Sequence, residues 1–250
     1  MVLLPGAGLS LVAGIFLLLD VVFLTSLFLH LLGDCTRRGS GLCGVFQDLI
    51  RFGKTKLPGR PSWMQWFDLP KRWFWQFYFL SVIWNGALLV LLVRSLLGIQ
   101  LPHWVQLLFN FFHKDSEQKV SVSVPELLQQ LHWYHIVGCL LYAWASLHHH
   151  RCHVILANLR KDKTGKVVTM SHVMPSGDWF EQVSCPHYFA ELLIYISIAL
   201  LFGLTHWTWW LLVLFVLFNQ SLVAILCHEY YQQKFDSYPA HRKAFIPYVF

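Results

Sequence analysis

The side chains of this 250-residue chain that could do chemistry gather at the ends of apolar runs. Gln47 and Asp48 stand together in Phe46-Gln47-Asp48-Leu49-Ile50-Arg51, followed by Lys54 and Lys56. Asn158, Arg160, Lys161, Lys163 and Lys166 crowd a later basic stretch. Glu191 lies one turn into an apolar run, where a carboxylate needs a partner. His228 and Tyr231 are spaced i, i+3, so a helix would carry them on one face. A rim of donors and cations beside apolar helices is where a membrane enzyme would hold a charged cofactor against a lipid. The lysines alone suit a solvated, lipid-facing surface equally well.

Several familiar motifs fail on close reading. His228-Glu229 opens an H-E-x-x-H zinc helix, but the fifth position is Gln232, so the second ligand is missing. The run from His148 to His153 is rich in metal-ligand types, yet neighbours at consecutive helical positions point in different directions and cannot converge on one ion. No metal is expected. Gly6-Ala7-Gly8 is a fragment of a dinucleotide fingerprint with no strand before it. Asn219-Gln220-Ser221 matches a glycosylation sequon but falls inside an apolar segment that the transferase cannot reach.

The elements that must position these groups follow from composition. Hydrophobic residues make up 56% of the chain, charged residues 13%, and the mean hydropathy is +0.49. A soluble domain carries about a quarter charged residues, so a water-soluble fold is excluded. Five stretches approach or reach the roughly 17 to 25 apolar residues a spanning helix needs. They are Leu9 to Leu32, Trp73 to Gly98, Leu131 to Leu147, Tyr188 to Leu204 and Trp207 to Cys227. The first lacks a basic n-region and is too long for a signal peptide, so it is expected to be a retained anchor. Asp20 sits near its middle and should be neutral or hydrogen-bonded within the bundle. Six cysteines lie far apart without a C-x-x-C pair and read as reduced thiols.

Charge then orients the helices, because cytosolic loops hold the excess of Lys and Arg. The 33–72 loop has eight, the 148–187 loop five and the tail after Cys227 three, against Lys114 and Lys119 alone on the opposite side. The expected fold is therefore an all-α, polytopic membrane bundle with a lumenal N-terminus and a cytosolic C-terminus. It reads as a single membrane-embedded domain over residues 1–250, interrupted by a polar junction near 113–125.

Two blocks carry a resemblance: HVMPSGDWFEQVSCPHYFAE (His172 to Glu191), and the tail from His228 through Tyr231 to Phe250. Both resemble the steroid 5α-reductase family. FQDLIRFGKTK from Phe46, FDLPKRWFWQFY from Phe67 and CHVILANLRK from Cys152 resemble its polyprenol or polyprenal reductase branch. The resemblance implies a multi-pass endoplasmic reticulum enzyme of about seven helices, against about five here. It implies hydride transfer from NADPH to a double bond conjugated to a carbonyl, reducing the α-isoprene unit of a polyprenyl lipid toward dolichol for protein N-glycosylation. The expected partners are an isoprenoid lipid and the membrane, with no nucleic acid.

By the same resemblance, Gln47 and Asp48 belong to the substrate end, where a donor would polarise the carbonyl. Asn158, Arg160, His172, His187, Glu191, His228 and Tyr231 match positions around the cofactor. Arg160 suits a phosphate, because its planar fork can bind two oxygens. This chain departs from the family pattern in two places. His187 stands where the family usually has Asn. A stretch of about two membrane helices is missing between the Trp104 region and Leu131, which leaves the topology parity unchanged. Two alternatives to the polyprenyl reductase follow: a catalytically impaired, splice-type membrane interaction protein, and 5α-reduction of 3-oxo-Δ4 steroids.

Overall fold

The computed structural model describes residues 10–32, 42–51, 74–100, 102–112, 129, 131–162, 164–166 and 173–250. In chain order its helices are α1 (Leu11–Leu31), α2 (Leu42–Ile50), α3 (Phe74–Leu96), α4 (His103–Phe112), α5 (Trp133–Asn158), α6 (Pro186–Phe202) and α7 (Trp207–Lys234). A short 3-10 turn, Asp178–Glu181, precedes α6. The described residues contain helices and no strand, and a parallel bridge joins Val183 to Lys243. Each of the five apolar stretches forms a helix. The polar junction at 113–125 and His172 lie outside the described residues.

The chain divides into two compact units. One, residues 62–132, holds α3 and α4, and the other holds α1, α2 and α5 to α7. Within the second unit the helix directions follow from which residues meet. Phe16 and Phe23 of α1 both pack on Phe215 of α7, with ring centroids 6.1 and 5.3 Å apart, and His30 at the end of α1 reaches Glu229 near the end of α7. These two helices therefore run parallel. Gly138 of α5 lies against Ser197 and Leu201 of α6, whereas His153 lies beside His187, so that pair is antiparallel. A tight turn at Gly203 folds α7 back along α6. The backbone there has φ +103°, a region that side chains with a Cβ avoid. The C-terminal ends of α1, α5 and α7 and the N-terminal end of α6 thus share one end of this unit.

Its core is built by Leu192 and Ala199 of α6, by Val213, Val216, Ala224 and Ile225 of α7, and by Phe245 of the tail. Outward faces are also apolar: Leu18 is 65% exposed, Val82 71% and Leu140 67%. Water penalises such surfaces and hydrocarbon does not. Helices α1 and α7 are each long and apolar enough to cross a bilayer, while α6 has 17 residues. Asp20 is buried in α1 and neither carboxyl oxygen has a hydrogen-bond partner. The hydrogen-bonded alternative for this residue is thereby removed.

One thiol departs from expectation. Cys43 is disulfide-bonded, whereas Cys139, Cys152, Cys185 and Cys227 are reduced thiols.

The α5–α6 contact supplies a stability test. A Cβ on Gly138 would stand 3.0 Å from both the Ser197 carbonyl oxygen and Leu201 Cγ, so Gly138→Ala would force the helices apart. It is expected to destabilise the protein by about 1–3 kcal/mol, measured by thermal unfolding in detergent. Gly86→Ala is the control: its Cβ would meet nothing within 4 Å, and the change should stabilise α3 by roughly 0.5–1 kcal/mol.

Candidate functional site

Two hydrogen-bond networks occupy the polar end of the larger unit, and adjacent residues of α7 anchor them. In the first, Glu229 uses both carboxylate oxygens. Oε1 accepts from His30 Nε2 at 2.9 Å, and Oε2 accepts from Arg51 Nη2 at 3.3 Å. Gln47 Nε2 in turn donates to His30 Nδ1 at 3.5 Å. His30, Gln47 and Asp48 are all buried. The Glu229 carboxylate can only accept, which places the proton of a neutral His30 on Nε2 and leaves Nδ1 to accept from the Gln47 amide.

In the second network His228 is held on both sides. Gln232 Nε2 donates to its Nε2 at 2.8 Å, leaving Nδ1 to carry the proton and donate to Ser184 Oγ at 2.6 Å. Ser184 passes its own proton to the Lys243 carbonyl at 3.2 Å and accepts from the Tyr238 hydroxyl. Every polar atom of the Ser184 side chain is therefore used, as its burial requires. Tyr231, one turn beyond His228, sets its ring 6.2 Å from that of Tyr238.

The tail after α7 is clamped over this end. Buried Arg242 donates to the Pro175 carbonyl at 2.9 Å and to Glu181 Oε2 at 3.3 Å. The Gly177 N–H, and more weakly Arg242, hold the Glu181 carboxyl below its ordinary range, against a smaller opposing effect of burial. Backbone bonds from Lys243 N to Gln182 O and from Ser184 N to Lys243 O, each 2.9 Å, complete the seam. Glu191, deeper on α6, accepts from Gln220 Nε2 of α7 at 2.7 Å.

The structure therefore places the sequence-selected residues unevenly. Gln47 joins the Glu229 network and Asp48 lies beside it on α2, while His228 and Tyr231 adjoin the Ser184 network. His187 lies beside His153, with ring centroids 5.6 Å apart, and Glu191 is tied to α7. Asn158 and Arg160 stand on the exposed end of α5. His148 stacks on Trp179 at 4.2 Å, whereas His149 and His153 bond to each other at 3.1 Å. His30, Arg51, Glu229, Ser184 and Tyr238 escaped the sequence reading. Glu229 enters the sequence reading only within a failed zinc motif and the tail block that carries the family resemblance.

The chain belongs to the 3-oxo-5-alpha-steroid 4-dehydrogenase family, whose profile matches residues 104–250. Membership makes it an oxidoreductase acting on CH–CH groups. Among its relatives are proteins called polyprenal reductase. That of Xenopus tropicalis is 47% identical over 96% of this chain and 100% of its own length. That of Homo sapiens is 38% identical over 94% and 95%, and that of Danio rerio 41% over 82% and 87%. The Xenopus tropicalis alignment runs over 307 positions, more than the 250 residues this chain possesses. The relative therefore contains internal sequence that has no counterpart here.

The tail clamp generates a prediction. Arg242→Ala leaves the Pro175 carbonyl and Glu181 without their cation, a loss of about 1.5–3 kcal/mol. Chymotrypsin cleavage after Trp179 or Phe180 is expected to be roughly ten- to a hundred-fold faster than in the parent. The Glu181 contribution is present above its ordinary pKa of 4.5 and is lost as pH falls through its lower folded value. The parent clamp should therefore persist at pH 5 and open only in stronger acid. Equal cleavage of parent and variant at pH 7 would count against the clamp.

Proposed function

We propose that this chain is an NADPH-dependent reductase of the endoplasmic reticulum membrane that saturates the α-isoprene double bond of polyprenal on the route to dolichol, the lipid carrier of protein N-glycosylation. The observation that carries this reading is the near full-length similarity to proteins called polyprenal reductase. The site geometry supports it: a buried amide and carboxyl at the end of apolar helices, flanked by cations.

The residues suit NADPH by their chemistry. Arg151, Arg160, Lys161 and Lys166 supply positive charge for phosphates at the shared end of the larger unit. His187, Glu191, His228 and Tyr231 supply donors and acceptors for ribose and carboxamide, with Asn158 and His172 as further contacts. When bound, NADPH supplies a hydride. Gln47 and Asp48 have the complementary task of stabilising negative charge that builds on the aldehyde oxygen. The apolar helices exclude water, which strengthens each of these contacts.

A second reading has its own support. Sequence present inside the relatives and missing here would remove cavity wall, and a displacement of about 1 Å can slow such a reaction a hundred-fold. A catalytically impaired membrane interaction protein is the outcome if that loss is decisive.

Orientation belongs to the proposal as well: the N-terminus in the lumen, the C-terminus and the cofactor rim in the cytosol. Relative to the parent, Thr164→Cys is expected to label with an impermeant maleimide in sealed microsomes, and Thr205→Cys only after permeabilisation. The disulfide at Cys43 argues against a cytosolic 33–72 loop, because disulfides are rare in the reducing cytosol, and the labelling decides between the two signals. The reverse labelling pattern would overturn the assignment.

Activity is tested in membranes containing only this chain, supplied with NADPH and a polyprenal, beside a version with the missing internal stretch restored. Turnover by both is expected, faster in the restored form. Glu191→Ala and Tyr231→Phe should each weaken NADPH use by about 1.5–3 kcal/mol, roughly ten- to a hundred-fold, while inserting normally. A silent parent beside an active restored form would favour the impaired reading.

A further inference from the structure

The sequence directs attention to Gln47 and Asp48, but the structure adds a chain of contacts behind them. Gln47 is buried and its amide nitrogen faces His30 Nδ1 at 3.5 Å. His30 is 3% exposed, and its other nitrogen faces Glu229 Oε1 at 2.9 Å. Glu229 is steadied by Arg51 through its second oxygen. Each link depends on the one behind it. A carboxylate accepts and cannot donate, so it requires the His30 proton on Nε2. With the proton there, Nδ1 can only accept, so it requires an N–H from Gln47 and orients the amide. A side-chain amide has a donor end and an acceptor end, and turning it over exchanges what it offers to a substrate.

We infer that Glu229 is a positioning residue for the reductase, acting through the His30 tautomer to set the orientation of the Gln47 amide beside Asp48. This rests on the reading of Gln47 as a substrate-side group. Glu229 need not touch the substrate or the cofactor in this role. Removing its acceptor frees His30 to carry its proton on Nδ1, and Gln47 then turns its carbonyl oxygen toward the ring. Arg51 does not replace Glu229, because it only donates and cannot hold the Nε2 proton.

The role separates from simple bracing between α1 and α7 by the choice of variant. Glu229→Gln gives up the carboxylate charge opposite Arg51 but keeps a carbonyl oxygen able to accept from His30, whereas Glu229→Ala keeps neither. With full-length chain in membranes, NADPH and a polyprenal, Glu229→Ala is expected to lower kcat by about ten- to a hundred-fold with little change in the KM for NADPH. Glu229→Gln should stay within about threefold of the parent, a shift under 0.7 kcal/mol. Adding Glu229→Ala to Gln47→Ala should produce no further loss, because the two act on one group. Equal losses in Glu229→Gln and Glu229→Ala would mean that the Arg51 ion pair alone matters, overturning the relay. Additive losses in the double variant would overturn it as well. Full activity of Gln47→Ala alone would remove the substrate-side reading and the relay with it.

The imidazole tautomer can also be measured without turnover. In protein labelled with [15N]histidine and held in detergent, with the His30 signals assigned by their loss in His30→Asn, the ring should carry its proton on Nε2. Glu229→Ala should move it wholly or partly to Nδ1. A parent His30 protonated on Nδ1, or a tautomer indifferent to Glu229, would overturn the relay whether or not the chain turns over.

Discussion

The polar end of the larger unit depends on how one helix leaves the apolar core. For most of its length α7 is packed with Val, Leu, Ile and Ala, and then within two residues it presents His228 and Glu229. Neighbours on a helix diverge by about a hundred degrees, so the two side chains face different partners. His228 turns to Ser184 and the tail, and Glu229 turns to α1 and the end of α2. Polar groups withdrawn from water must find partners or cost free energy. Once α7 places these two, Ser184, Tyr238, His30 and Gln47 have little freedom left. The tail folds back because Arg242 and Lys243 complete the same arrangement.

Asp20 marks the opposite case. It lies along α1, buried and without a hydrogen-bond partner. An ionised carboxylate in that position would lose its hydration with no compensation. The polar end is satisfied by pairing, and Glu191 deeper on α6 is held by Gln220, whereas Asp20 on α1 is buried without a partner.

Much of the fold could be read from sequence because it rests on local pattern. Each long apolar run became a helix, since period and length are properties of the run itself. The contacts of the site are not local. His30 and Glu229 are 199 residues apart, Ser184 and Tyr238 are 54 apart, and no spacing rule connects them. Gln47 and His228 were legible through the family pattern, but the groups that orient them were not.

Transfer of hydride to the substrate carbon–carbon double bond is the claim on which the functional reading stands. Conjugate reduction of an enal adds hydride to the carbon β to the carbonyl and a proton to the α carbon, while NADPH becomes NADP+. The purified chain in liposomes, given NADPH deuterated at the transferable position and a polyprenal, should yield a saturated α-isoprene unit carrying one deuterium at the β carbon. Deuterium on the aldehyde carbon with the double bond intact would contradict the proposed reaction and indicate reduction of the carbonyl instead.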